Sequence, residues 1–228
     1  MGIVLIIFAY LCYAIFLLRI SWRICLILKT TEHVKREPLP SPGSMSLTAV
    51  RMARDIFFLT RLFRVNPLLW FGEWLFHAAF FLVLVRHLRY ILFNVPDWLL
   101  SLGLAGLLTG YILPVSLIYI LIIKLVLERK KYFSTDNFFL LLLLLLLSIT
   151  GILMKNYVHP DIIDIKIFVL NLFAFKFRPA PGSALFIIHF VTALIFLAYL
   201  PTHIFAAPFT ALEARRQEDG LDKIVHEK

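Results

Sequence analysis

The stretch LLWFGEWLFHAAFFLVLVRHLRYILF, Leu68–Phe93, decides the fold. At 1.5 Å per residue it is long enough to cross about 30 Å of hydrocarbon as one helix. It also carries two imidazoles, His77 and His87. A second stretch, SALFIIHFVTALIFLAYLPTHIFAA, Ser183–Ala207, repeats the combination with His189 and His203. A polar ring within a bilayer is costly unless it has a partner, so these four histidines mark where function is to be sought.

Three further apolar segments complete the pattern. They predict an all-α integral membrane protein with five transmembrane helices, over about residues 2–28, 68–93, 98–127, 138–154 and 183–207. In the first, Gly2–Leu18 crosses the lipid and Arg19 and Arg23 sit at the inner interface. It has no basic leader and no small-residue cleavage site, so it reads as a span and not a signal peptide. The leucine run Leu140–Leu147 in the fourth reads as lipid-facing filler. Between the first two spans, LPSPGS reads as a linker. Residues 45–64 then place Arg51, Arg54, Arg61 and Arg64 largely on one helical face, the pattern of a helix lying on the membrane surface. Ile162–Phe177 is apolar but interrupted and is expected along the outer surface. Residues 1–207 form one membrane domain and 208–228 a charged cytoplasmic tail.

The composition agrees. Of 228 residues 61% are hydrophobic, and the mean hydropathy is +0.89. The net charge of +9 is clustered at span ends, the usual pattern for a membrane protein, and does not point to nucleic acid. With the N-terminus outside, the outer face holds only Arg86, Arg89, Lys155, Lys166, Lys176 and Arg178 of the 23 Lys and Arg residues; those from Arg19 to Arg64, from Lys124 to Lys131 and in the tail fall inside. That asymmetry gives an N-out, C-in orientation. Cys12 and Cys25 are the two cysteines, both in the first apolar segment, so the chain binds no iron–sulfur cluster and no covalent haem by itself. No nucleophile–base set, phosphate loop or zinc motif occurs, which leaves hydrolase and NTPase readings unsupported.

The histidine spacing carries chemistry. His77 and His87 are ten residues apart, about 15 Å along a helix and roughly 80° around it. His189 and His203 are fourteen apart, about 21 Å and roughly 40°. Each helix thus offers two imidazoles toward one side at two depths. The two helices run antiparallel, so depth pairs His77 with His203 near the inner face and His87 with His189 near the outer face. Zinc would ask for four ligands, and only Glu73 lies near. Haem iron asks for two, and its macrocycle suits an apolar bundle. The expected cofactors are two haem b groups, with one as the alternative. Arg86 and Arg89 flank His87, where they could pair with haem propionates. Gly103, Gly106 and Gly110 would permit close approach of a helix or macrocycle. Pro201 would kink the helix before His203.

Asp55–Leu99 and Arg178–Phe205 together resemble the respiratory nitrate reductase gamma-subunit superfamily, whose relatives include the cytochrome b subunits of heterodisulfide reductase-like and sulfate-reducer transmembrane redox complexes. The resemblance covers Asp55–Phe205 and carries His77 and His87 onto the family's two ligands in the second helix and His189 onto its first ligand in the last. The pattern departs at the fourth ligand, which in the gamma subunit matches Ala207, so His203 would serve from a different turn. The resemblance implies a b-type cytochrome subunit of a respiratory complex in the bacterial or archaeal cytoplasmic membrane. It further implies a quinone as exchangeable substrate near the outer haem and iron–sulfur or multihaem cytochrome subunits as electron partners. Such a subunit is not catalytic alone. No quinone motif carries over; His159 and Lys166, with Asp161 and Asp164 in the same connection, are the candidate polar groups for that site. A haem-free membrane anchor of a redox complex is the alternative, in which the histidines make only hydrogen bonds.

Overall fold

The computed structural model describes residues 2–33, 45–127 and 135–202. Every regular element among them is helical. Helix α1 is Gly2–His33, α2 Met45–Phe58, α3 Thr60–Val65, α4 Pro67–Ile91, α5 Asp97–Ser101 and α6 Gly103–Leu127. Helix α7 is Thr135–Leu153, followed by a π-helical turn, Met154–Val158. Helix α8 is Ile162–Phe173, and α9, Ala184–Tyr199, passes into a 3-10 turn at Leu200–Thr202. Four helical segments are long and apolar enough to cross a membrane: Ile3–Leu26, Pro67–Ile91, Gly103–Val126 and Thr135–Val158. The 16 residues of α9 are apolar but shorter.

Local chemistry sets the boundaries. Asn66 starts α4, its side-chain oxygen accepting from the Leu69 N–H at 3.0 Å, with Pro67 in the first turn where its missing N–H costs nothing. Asp161 does the same for α8, accepting from the Ile163 N–H at 2.8 Å. The expected third span is interrupted at Leu102, so that α5 and α6 replace one helix over 98–127. The expected surface helix over 45–64 is likewise divided at Leu59, which has a φ of 47°. Beyond the break, Thr60 donates to Asp55 and the Arg61 guanidinium lies 3.7 Å from the same carboxylate.

The chain divides into two compact units. The first holds Met1–Leu11 and Asn66–Phe196. Within it α4 packs along α6, and α6 along α7. Gly72 makes the first of these seams possible: a Cβ there would lie 2.6 Å from Cδ1 of Tyr119, whose hydroxyl donates to the Leu68 carbonyl at 3.1 Å. One turn on, Glu73 and Lys124 pair across the same seam at 2.9 Å. At its far end the Arg86 stem lies over Gly106, where a Cβ would be 2.8 Å from Cγ, and Arg86 donates to the Leu99 carbonyl at 2.7 Å. A separate cluster joins Leu5 and Ile6 of α1, Ile165 and Phe168 of α8 and Phe186 of α9. Phe168 meets Phe186 and Phe190 edge to face, and the Tyr10 hydroxyl donates to the Leu172 carbonyl at 2.9 Å. Helix α8 is therefore a packed element of this unit. The leucine run is not simple filler either: Leu141, Leu143 and Leu144 are buried while Leu142 and Leu146 are exposed.

The second unit holds Cys12–Val65 and Leu197–Lys228. In its described part, Arg51, Arg54, Arg61 and Arg64 are exposed together with Phe57, Phe63 and Val65. Arg19 donates to the Ala198 carbonyl at 3.3 Å, beside an open groove of about 440 Å³ lined by Leu18, Arg19, Trp22, Arg23 and Pro201. The tail expected at 208–228 lies outside the described residues.

Candidate functional site

Helix α4 has two imidazoles because its sequence sets them ten residues apart, and each is anchored to its own helix in the same way. His77 Nδ1 lies 2.6 Å from the Glu73 carbonyl oxygen and His87 Nδ1 lies 2.7 Å from the Val83 carbonyl oxygen. A carbonyl only accepts, so both Nδ1 atoms carry the proton and both Nε2 atoms keep a lone pair. His77 is exposed, with the Glu73 carboxylate 4.0 Å from its Nδ1.

The structure brings His87 and His189 together. Their ring centroids are 6.4 Å apart, and the planes differ by only 15°. His189 Nδ1 is held at 2.9 Å from the Thr150 hydroxyl of α7. Helices α4 and α9 are not in close backbone packing; they meet through rings at two levels, Phe80 with Phe196 and His87 with His189. Close-packed helices sit about 8–10 Å apart, and these two stand further off.

This arrangement can be tested against a bis-imidazole iron site. Two metal–nitrogen bonds of about 2 Å, with each ring centre about an ångström behind its nitrogen, put two trans ring centres about 6 Å apart. The His87–His189 spacing fits that requirement. So does the protonation of His87 Nδ1. Among the described residues no group of three or more His, Cys, Asp or Glu side chains converges as a metal site. A two-ligand haem does not require one.

The other expected residues fall as follows. His203 lies outside the described residues, so its pairing with His77 rests on sequence alone. Arg86 is engaged with Leu99, and Arg89 donates to the Tyr90 hydroxyl at 2.5 Å with its guanidinium 4.6 Å from that ring's centroid. His159 ends the π-helical turn in a left-handed conformation, φ 45°, its N–H bonded to the Met154 carbonyl. Lys166 donates to the Phe93 carbonyl at 3.0 Å and so ties α8 to the turn after α4. Gly110 has nothing within 4 Å of a would-be Cβ. Sequence reasoning missed Thr150 and Gly151. The signal was present in the break they make, with Ser148, in an otherwise unbroken aliphatic run.

Comparison with known proteins points the same way. Over 240 aligned positions the chain is 27% identical to the Hdr-like menaquinol oxidoreductase cytochrome b-like subunit of Archaeoglobus profundus, covering 84% of this chain and 71% of that protein. It is 28% identical over 204 positions to the subunit of the same name from Archaeoglobus fulgidus, covering 76% of this chain and 61% of that one. No family model matches the chain. No solved structure matches it either. The described residues are thus all-helical in their regular structure, with four helices of membrane-spanning length and apolarity, and the chain is similar to cytochrome b-like subunits of Hdr-like menaquinol oxidoreductases.

Proposed function

We propose that this chain is a membrane b-type cytochrome subunit that passes electrons between a quinone pool and partner redox subunits. The observation that carries this reading is the His87–His189 pair, two near-parallel imidazoles at the spacing of trans ligands. The similarity to menaquinol oxidoreductase subunits supports the same class and makes menaquinol the expected quinone. Bound haem supplies reversible one-electron chemistry, and two axial histidines leave no open position for oxygen or substrate. The chain's own work is to hold the rings, keep Nδ1 protonated and exclude water from the apolar bundle.

His87 and His189 would hold the outer haem, and His77 with His203 would hold an inner one. Arg86 and Arg89 are the nearest cations in sequence to His87. Arg86 spends one nitrogen on Leu99 and, with five N–H donors on a guanidinium, keeps others for a propionate. The fifth span belongs to α9: its 16 residues extend about 24 Å and the 3-10 turn adds about 6 Å, together near the hydrocarbon thickness. His159 and Lys166 stay the candidates for the quinone end, and the arginine-bearing α2–α3 segment for a partner subunit on the inner face.

The test is a reduced-minus-oxidised spectrum of the purified, assembled protein with haem stoichiometry by pyridine haemochrome. Two haems b per chain are expected, and one would restrict the site to His87 and His189. A folded, assembled preparation without haem overturns the reading and leaves the anchor.

A further inference from the structure

We propose that Thr150 of α7 is the positioning residue that makes His189 a ligand, an inference that rests on the haem reading above. The two histidines of the pair are oriented by different devices. His87 uses the carbonyl one turn back on its own helix. His189 instead reaches across to α7, where the Thr150 hydroxyl lies 2.9 Å from Nδ1 and the Leu147 carbonyl is a further hydrogen-bond partner of the ring. Thr150 is buried, and its oxygen also lies 2.8 Å from the Leu146 carbonyl and 3.0 Å from the Leu147 carbonyl.

A hydroxyl has one proton to give, and the two carbonyls can only accept. The arrangement that uses all three contacts sends the Thr150 proton to the backbone and lets Oγ1 accept from His189 Nδ1–H. Nε2 is then unprotonated and free to coordinate. The reverse polarity would put the proton on Nε2 and leave the Thr150 hydroxyl with no proton for either backbone carbonyl. Thr150 thereby gives His189 the same tautomer that Val83 gives His87. Gly151 borders the seat: a Cβ there would stand 3.4 Å from Cε1 of His189, in van der Waals contact, so the ring lies against α7. Helix α7 is thus the support of a ligand carried by α9.

An acceptor on the distal N–H makes an axial imidazole a stronger donor and fixes its ring orientation. Removing it stabilises ferric iron less, so the potential rises. The experiment compares wild type, Thr150→Val and Thr150→Ser in lipid nanodiscs, reading haem per chain, midpoint potential by redox titration, and the rate of haem transfer to excess apomyoglobin. Thr150→Val is expected to raise the potential of one haem and to weaken its retention by about tenfold or more, the usual cost of losing such a partner. Thr150→Ser, which keeps the hydroxyl, restores both. If Thr150→Val does not assemble, Thr150→Ala removes the hydroxyl without adding a methyl and reports the same shift. A Thr150→Val or Thr150→Ala protein with wild-type potential and retention, in a background where His189→Ala loses that haem, overturns the proposal while leaving the haem reading intact. A haem-free wild type defeats the haem reading itself, and this inference with it.

Discussion

An imidazole in a bilayer has two needs, an acceptor for its N–H and a use for its lone pair. Backbone carbonyls meet the first for His77 and His87 on α4. The lone pairs are left, and the 6.4 Å approach of His87 to His189 is where, on the proposed reading, two of them would share one iron. His87→Ala and His189→Ala are each expected to cost the same one haem per chain, because a bis-histidine iron does not survive on one ligand in an apolar site. His77→Ala and His203→Ala should each cost the other haem and leave the first. The check is haemochrome stoichiometry on all four variants; loss of both haems in every variant would speak for general unfolding instead. The Glu73–Lys124 pair, one turn from His77, gives a second residue-scale prediction. Both side chains are less than a quarter exposed, and Lys124→Met leaves the carboxylate without its partner. It should destabilise by about 3 kcal/mol, as removal of one member of a buried pair does. Adding Glu73→Gln should recover much of the loss in a double-mutant cycle by thermal unfolding in detergent.

At the scale of elements, packing between apolar helices depends on shape more than on burial, since lipid is as apolar as leucine. Gly72 is the clearest case on the α4–α6 seam. Gly72→Ala drives a methyl against the Tyr119 ring and the Ile120 side chain and should cost about 1–3 kcal/mol, the usual penalty of overpacking. Gly110→Ala on α6, with open space at the same position, should be neutral or slightly stabilising, helix propensity favouring alanine. Equal effects from the two, measured by chemical unfolding in the same detergent, would show that propensity and not contact governs the seam. The same physics explains what the sequence left illegible. Length and apolarity made the helices over Pro67–Ile91 and Gly103–Val126 readable, and the spacing of His87 and His189 predicted their meeting. Uniformly apolar helices carry no polar face to say which side turns inward. Hence Leu141, Leu143 and Leu144 of the leucine run proved to be core, and α8 proved to be packed through Phe168. The break at Leu59 has neither glycine nor proline at the point of change, so no residue type announced it; at Leu102 the signal was Gly103, which opens α6.

For the whole molecule, the direction in which the helices cross determines which end of the electron path faces the cell interior. The outer side is assigned only six basic residues, and they include Lys155, Lys166 and Lys176 of the connection before α9 and Arg86 and Arg89 beside His87. The connection between α6 and α7 carries Arg129, Lys130 and Lys131 in succession, a run that opposes translocation and would keep it inside. In that orientation the His87–His189 pair would lie toward the outside, where quinol oxidation would release protons. Single cysteines test it. Cys12 and Cys25 are first replaced by alanine, and Lys130→Cys or Lys176→Cys is then introduced. A membrane-impermeant maleimide should label Lys176→Cys in right-side-out vesicles and Lys130→Cys only in inside-out ones. The opposite pattern would invert the protein and put the His87–His189 haem on the inner face. Electrons from that pair would then reach an inner-face partner directly, without crossing the membrane, and the second histidine pair would lose its purpose as the inner half of a relay.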